Sequence, residues 1–255
     1  MITIKTPEEI EILKEGGKHL AYILNELKKL VAPGVRTIVF EEKARELLLK
    51  FGDTASFLGY TPYGAKRPYP ASVCVSINDE IVHGIPNEGE KVLKEEDIVT
   101  LDMGVVHRDL FVDGAITIPV GNVSKEAKTL IKATKESLQA GIKAAKRGGY
   151  VGDIGAAIQL VATKYNFKIA EDLCGHGVGY SVHEDPFVPN FGAIGEGPEL
   201  KPGMVLAIEP MLVLGKGAII LDKDGYTYRT RDGSLAAHFE HTIVINDSDP
   251  IIVTK

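Results

Sequence analysis

Tryptophan is absent and cysteine occurs only twice, as Cys74 and Cys174. Two such cysteines make no secreted disulfide framework, and neither belongs to a C-x-x-C metal or redox pattern. A reducing compartment follows, and the cytoplasm is the expected location. The N-terminus runs at once into Glu8, Glu9 and Glu11 with no basic region and apolar stretch before them, so no signal peptide is read. No run of about 18 apolar residues occurs, which leaves no transmembrane span. Positive charge is not in excess: 29 Lys plus Arg against 35 Asp plus Glu give a net charge of -6. From that balance no sequence-independent grip on nucleic acid phosphates is expected overall, a local basic patch being left open. What is present is a globular composition of 44% apolar and 25% charged residues in 255, enough for a full-sized core.

Thr6-Pro7-Glu8-Glu9 reads as a capping box with Pro at the first helical position. Leu13, Gly17, Leu20, Leu24, Leu27 and Val31 then recur at three- and four-residue steps, which predicts a long amphipathic helix from residue 7. Thr37 is expected to cap a second helix that ends at Gly52. A similar pair returns later, with Ser124 capping one helix, Gly148-Gly149 ending it and Asp153 capping the next. Thr6 and Ser124 are 118 positions apart and Thr37 and Asp153 are 116 apart, so the elements recur although the residues do not. Strands are expected at 73–77, 98–106, 110–118, 204–211, 218–221, 226–230 and 241–245, with Asp224-Gly225 as a two-residue hairpin turn. No Pro/Ser-rich linker divides the chain, and residues 1–255 read as one two-lobed α+β domain.

Alternation puts Val99, Leu101, Met103 and Val105 on one strand face with Asp102 on the other. The next strand likewise separates Leu110, Val112, Ile116 and Ile118 from Asp113. A two-residue turn at His107-Arg108 pairs Val106 with Asp109 and sets Asp102 directly against Asp113, Cβ atoms about 5 Å apart. Like charges so placed need a shared proton, basic neighbours or a multivalent cation. Only the cation also accounts for His176, which projects from the glycine-rich L-C-G-H-G-V-G. Glu209 and Glu240 stand inside otherwise apolar strands and need partners as well. Four carboxylates and one imidazole form a ligand set able to hold two divalent first-row ions.

On these residues the chain resembles the type I methionine aminopeptidases of the pita-bread fold, over nearly its whole length. The family's five metal ligands match Asp102 in L-D-M-G, Asp113 eleven residues on, His176 in C-G-H-G-V-G, Glu209 in I-E-P-M and Glu240 in F-E-H-T. Two further family histidines match His83 in N-D-E-I-V-H-G-I-P and His183 seven residues after His176. The resemblance implies an α+β fold of two pseudo-symmetric halves, an antiparallel sheet covered by helix pairs. It points to the compact bacterial form, because the 31 positions from Glu209 to Glu240 leave no room for the type II insertion and no zinc-finger or proline-rich extension is seen. It implies two divalent ions, drawn from Co, Mn, Fe and Zn, and hydrolysis of the first peptide bond of a chain beginning with methionine, preferably before a small residue. Glu209 is then a metal ligand and proton shuttle, and Asp113 and Glu240 are bridging carboxylates. His83 and His183 hydrogen-bond the substrate amide and the developing oxyanion.

By the same resemblance the methionine pocket is lined by Phe57, Tyr60, Tyr69, Cys74, Val182 and Tyr226. The 60–69 loop is longer than in compact bacterial members, Val182 replaces an aromatic and Tyr226 replaces the usual Trp. Cys74 and Cys174 read as packed apolar side chains rather than nucleophiles, and His19 and His107 as ordinary structural or surface residues. A supporting role for His238 and His241 beside Glu240 is left open. Lys66-Arg67, near Tyr63 and Tyr69, reads as a solvated loop rather than a nucleic-acid contact. G-H-G-V-G is not a phosphate loop, and no G-x-S-x-G elbow occurs. Two alternatives remain: a proline-directed peptidase of the same fold, which normally carries a large extra N-terminal domain, and a metal-free binding module. The expected partner is an N-terminal peptide, with a transient ribosome contact left open. The chain is expected to act as a monomer without specific nucleic acid or membrane partners.

Overall fold

A computed structural model describes residues 1–62 and 64–255, so the part of the loop reading that fell on Tyr63 lies outside the described residues. The capping box forms as the sequence predicts: Thr6 Oγ1 accepts from the Glu9 N–H at 3.3 Å and the Glu9 carboxylate accepts from the Thr6 N–H at 2.8 Å. It opens α1 (Pro7–Lys29), which buries Leu13, Leu20, Ile23, Leu24 and Leu27. α2 (Ile38–Phe51) ends on Gly52, whose φ of 72° is the left-handed conformation that favours glycine. Thr37 does not cap it. Its backbone is already helical and its hydroxyl donates to the buried Pro86 carbonyl at 2.7 Å.

Three short strands follow, β1 (Thr54–Ala55), β2 (Cys74–Ile77) and β3 (Glu80–Val82), then the long hairpin of β4 (Ile98–His107) and β5 (Leu110–Pro119). Its register differs from the expected one. The turn is Arg108-Asp109, both at positive φ (47° and 64°), as a type I′ hairpin turn requires, and His107 pairs with Leu110. Asp102 therefore faces Ala115 and Asp113 faces Gly104, which sets the carboxylates diagonally on one face rather than directly opposite. A slide of two residues leaves every side chain on its original face, so the apolar pattern is satisfied by either register and the turn decides between them.

α3 (Lys125–Ala144) starts at Ser124, whose hydroxyl accepts from the Ala127 N–H at 3.1 Å. It stops before Gly148-Gly149, and Gly148 serves the turn beyond it at φ 76°. α4 (Val151–Lys164) begins three residues earlier than expected: Asp153 lies inside its first turn and accepts the Tyr150 N–H at 2.8 Å. From Pro7 to Lys125 is 118 positions and from Ile38 to Val151 is 113, so the helix pairs recur with a shorter second offset.

The rest is strand: β6 (Lys168–Ile169), β7 (Cys174–Gly177), β8 (Glu184–Pro189), β9 (Val205–Ile208) and β10 (Met211–Val213). After them come β11 (Ile219–Leu221), β12 (Tyr228–Thr230), β13 (Ala236–His238), β14 (His241–Val244) and β15 (Ile251–Ile252). The expected 204–211 strand is broken at Glu209-Pro210, where proline has no N–H for the ladder. Leu221 pairs with Tyr228, so Asp224-Gly225 lies within a 222–227 loop rather than forming a two-residue turn, and Asp224 accepts the N–H groups of Tyr226 and Thr227 at 2.8 Å each.

One sheet runs β1-β4-β2 with β5 on β4, and another runs β15-β14-β9-β7-β8. α1 and α2 cover the first through a core that includes Leu20, Phe40, Leu101 and Val112. α3 and α4 cover the second through Leu138, Ile154, Ile208 and Ile243. The two halves meet along β5. The Asp113 N–H donates to Thr242 Oγ1 and the Thr242 hydroxyl donates back to the Asp113 carbonyl, both at 2.8 Å. The Glu240 N–H donates to the Ala115 carbonyl at 2.9 Å, and the Thr117 hydroxyl donates to the His238 carbonyl at 2.7 Å. Among the described residues no helix is long and apolar enough to cross a membrane.

Candidate metal centre

The buried hydrogen bonds of that seam aim the acidic side chains of both halves at one cavity of about 770 Å³. Asp102 and Asp113 reach it from β4 and β5, and Glu240 from the gap between β13 and β14. Glu209 follows β9, with its carbonyl held by the Asn190 amide at 3.0 Å. His176 stands on β7 between glycines that have no room for a side chain. A Cβ on Gly175 would lie 2.3 Å from the Ala207 carbonyl oxygen, and one on Gly177 would lie 2.1 Å from that of Asp185. This explains why β7 carries so little strand signal in its sequence.

His176 Nδ1 is 2.9 Å from the Gly177 carbonyl, which can only accept, so the ring proton sits on Nδ1. The Nε2 lone pair is left facing Glu209 Oε1 at 3.3 Å. One ligand atom each from Asp113, His176 and Glu240 lie within 4.8 Å of one another, and the same holds for Glu209, His238 and Glu240. Asp102 Oδ1 is buried and has no hydrogen-bond partner among the described residues.

Burial raises the pKa of all four carboxylates, Asp113 to about 7. Asp102 is pushed well up by burial and then by the charge of Asp113. Glu209 and Glu240 rise for the same reason, burial first and their acidic neighbours second. Burial moves the imidazoles the other way, His176 to about 3 and His83 to about 4, so both are neutral near pH 7. Neutral imidazole beside crowded carboxylates is a donor set suited to cations, and Asp102 Oδ1 is buried without a hydrogen-bond partner among the described residues. The residues fit divalent metal ions.

His83 and His183 stand on the same cavity. The His183 ring meets His176 edge to face at 4.5 Å, and its Nδ1 is 3.0 Å from the Tyr60 hydroxyl. Solvent reaches His183 through the mouth, yet the walls still hold its pKa below the usual value. Phe57, Tyr60, Tyr69, Cys74 and Tyr226 line the cavity, whereas Val182 is buried away from its wall. Cys174, read as packed, is half-buried and does line it. Arg67 is not merely solvated: it pairs with Glu88, donates to the Asp224 carbonyl at 3.1 Å and its own carbonyl accepts the Tyr226 hydroxyl.

His238 belongs to this cluster and His241 does not. His238 Nε2 lies 3.5 Å from Glu209 Oε2 and 3.9 Å from Glu240 Oε2, and burial holds its pKa near 3. The legible signal was its place two residues before Glu240 on an extended chain, which puts both on one face. His241 Nδ1 instead meets Thr254 Oγ1 at 2.9 Å.

Residues 11–247 match the model of metallopeptidase family M24. The methionine aminopeptidase of Aquifex aeolicus is 46% identical over 256 residues, covering 100% of this chain and 99% of that protein. Methionine aminopeptidase 1 of Bacillus subtilis is 42% identical with 100% of both chains covered. The crystal structure of the Thermotoga maritima methionine aminopeptidase superposes with a TM-score of 0.95 at 42% identity, each chain covered completely. The Pyrococcus furiosus prolidase, 21% identical with a TM-score of 0.76 and 65% of it covered, shares the pita-bread fold alone. Family model, full-length relatives and fold agree, and the chain belongs to the methionine aminopeptidases of metallopeptidase family M24.

Proposed function

We propose that this protein hydrolyses the first peptide bond of chains beginning with methionine, using divalent ions held by Asp102, Asp113, His176, Glu209 and Glu240. The observation that carries this reading is the meeting, on one cavity, of the carboxylate and imidazole cluster with an apolar aromatic cluster of Tyr69, Cys74 and Tyr226 packed by Phe57. The names of the full-length relatives support the same substrate. Bound ions supply Lewis acidity and a water acidic enough to attack near neutral pH.

The chain's own groups do the rest. Tyr69 turns its hydroxyl to the Gly84 carbonyl at 3.0 Å, and Tyr226 turns its own to carbonyls of the 60–69 loop. Their polar tips are thus satisfied by backbone, and ring faces are left for a thioether side chain. Glu209, whose pKa burial raises, takes a proton from the attacking water and passes it to the leaving amine. His83 and His183, neutral imidazoles, donate to the scissile amide and to the carbonyl oxygen as it gains charge. We read residues 1–255 as one catalytic unit with two ions, taking N-terminal peptides with a small second residue. Incubating metal-loaded protein with Met-Ala-Ser, Leu-Ala-Ser and Ala-Pro peptides tests it. Free methionine from the first alone is expected. Cleavage of Ala-Pro in its place supports a proline-directed enzyme, and no cleavage of any peptide supports a binding module.

A further inference from the structure

Three metal-ligating side chains meet where α1, the end of α2 and the end of β4 converge, and none of them lines the catalytic cavity. Asp53, its side chain 1% exposed, lies between two imidazoles. His19 Nδ1 is 2.8 Å from Asp53 Oδ2 and His107 Nδ1 is 2.7 Å from Asp53 Oδ1. One ligand atom from each of the three lies within 4.8 Å of the other two. The rings are held in place: His19 stacks on Phe51 at 4.2 Å, and Gly16 leaves only enough room for the His107 side chain, since a Cβ there would lie 2.9 Å from His107 Cβ. His107 lies five positions beyond Asp102 on β4, about 16 Å along an extended strand.

As a hydrogen-bonded cluster of neutral imidazoles this arrangement is incomplete. Both Nδ1–H groups donate to Asp53, so each Nε2 is an acceptor. His107 Nε2 is buried and has no hydrogen-bond partner among the described residues, and the nearby group is Glu15 Oε2 at 3.3 Å, another acceptor. Coordination of a cation by both Nδ1 atoms and Asp53 resolves the conflict. The His107 proton then resides on Nε2 and donates to Glu15, the outer carboxylate that metal-bound imidazoles commonly use. Arg108 pairs with the same carboxylate at 3.2 Å. His19, with a side chain 19% exposed, opens the cluster to solvent, which gives an ion its entry and a water its place in the remaining coordination position.

We propose that His19, Asp53 and His107 form a second metal site, separate from the catalytic centre, that takes a borderline divalent ion of the zinc class. Two imidazoles and one carboxylate suit zinc, cobalt or nickel rather than calcium or magnesium. Calorimetric titration of metal-stripped, full-length protein with zinc tests this on wild type, His19→Gln and Glu15→Ala. Wild type is expected to take up one zinc equivalent more than His19→Gln, and because both retain the catalytic residues the difference counts this site alone. Glu15→Ala is expected to keep the full stoichiometry and bind that equivalent about 10- to 100-fold more weakly. Equal uptake by wild type and His19→Gln overturns the site. Unchanged affinity in Glu15→Ala overturns the tautomer argument on which the assignment rests.

Discussion

Asp113 carries a pKa of about 7 because burial penalises its charge, and the other three carboxylates are raised with it. A folded-state pKa above the unfolded value of 3.8 contributes stability that is fully present below 3.8 and is lost as pH rises through about 7. His83, near 4, and His176 and His238, near 3, act in the opposite sense, since a depressed imidazole loses stability as pH falls from 6.5. Above pH 6.5 only the carboxylates still change. Metal-stripped protein is therefore expected to melt a few degrees lower at pH 8 than at pH 6.5, while manganese-loaded protein shows no such fall. A stripped protein whose Tm is flat or rises over that interval would contradict the burial argument. At this scale the four carboxylates of the proposed ligand set stood out in the sequence, because a carboxylate among apolar neighbours is conspicuous wherever the chain folds. His238 was legible only through its place two residues before Glu240, which puts both on one face of an extended chain but does not say which face turns inward.

Elements were legible where local chemistry decides and illegible where tertiary contact decides. The Thr6 box and the Gly52 terminus follow from caps that any helix needs. Thr37 failed as a cap because a buried carbonyl from another part of the chain outcompetes the helix end for its hydroxyl. The β4–β5 register failed because alternation has a period of two and cannot distinguish a slide of two residues. β7 was missed because close packing against β8 and β9 demands glycine at positions where strand propensity demands the reverse. The hydrogen bonds between Asp113 and Thr242 are the element-scale device that sets β5 against β14. Thr242→Val keeps the shape and leaves a buried N–H and carbonyl unpaired, so a loss of about 1–3 kcal/mol is expected by denaturant titration, together with weaker metal binding. Wild-type stability and metal affinity in that variant would show that the seam does not position Asp113.

The whole molecule places its acids where the two halves meet, so neither half alone assembles the cluster: Asp102 and Asp113 come from one side and His176, Glu209 and Glu240 from the other. The recurrence of helix pairs hinted at this plan, although the true second offset is shorter because α4 starts ahead of Asp153. How the halves dock could not be read from spacing, since it rests on contacts such as Thr117 with His238 that lie 121 positions apart. Four buried carboxylates gathered at that junction are an expense to the fold unless cations neutralise them. Anomalous diffraction from crystals soaked in manganese measures this directly. Peaks bounded by Asp102, Asp113, His176, Glu209 and Glu240 are expected. A map with no anomalous density among those side chains, in crystals that diffract well enough to show them ordered, would contradict the account.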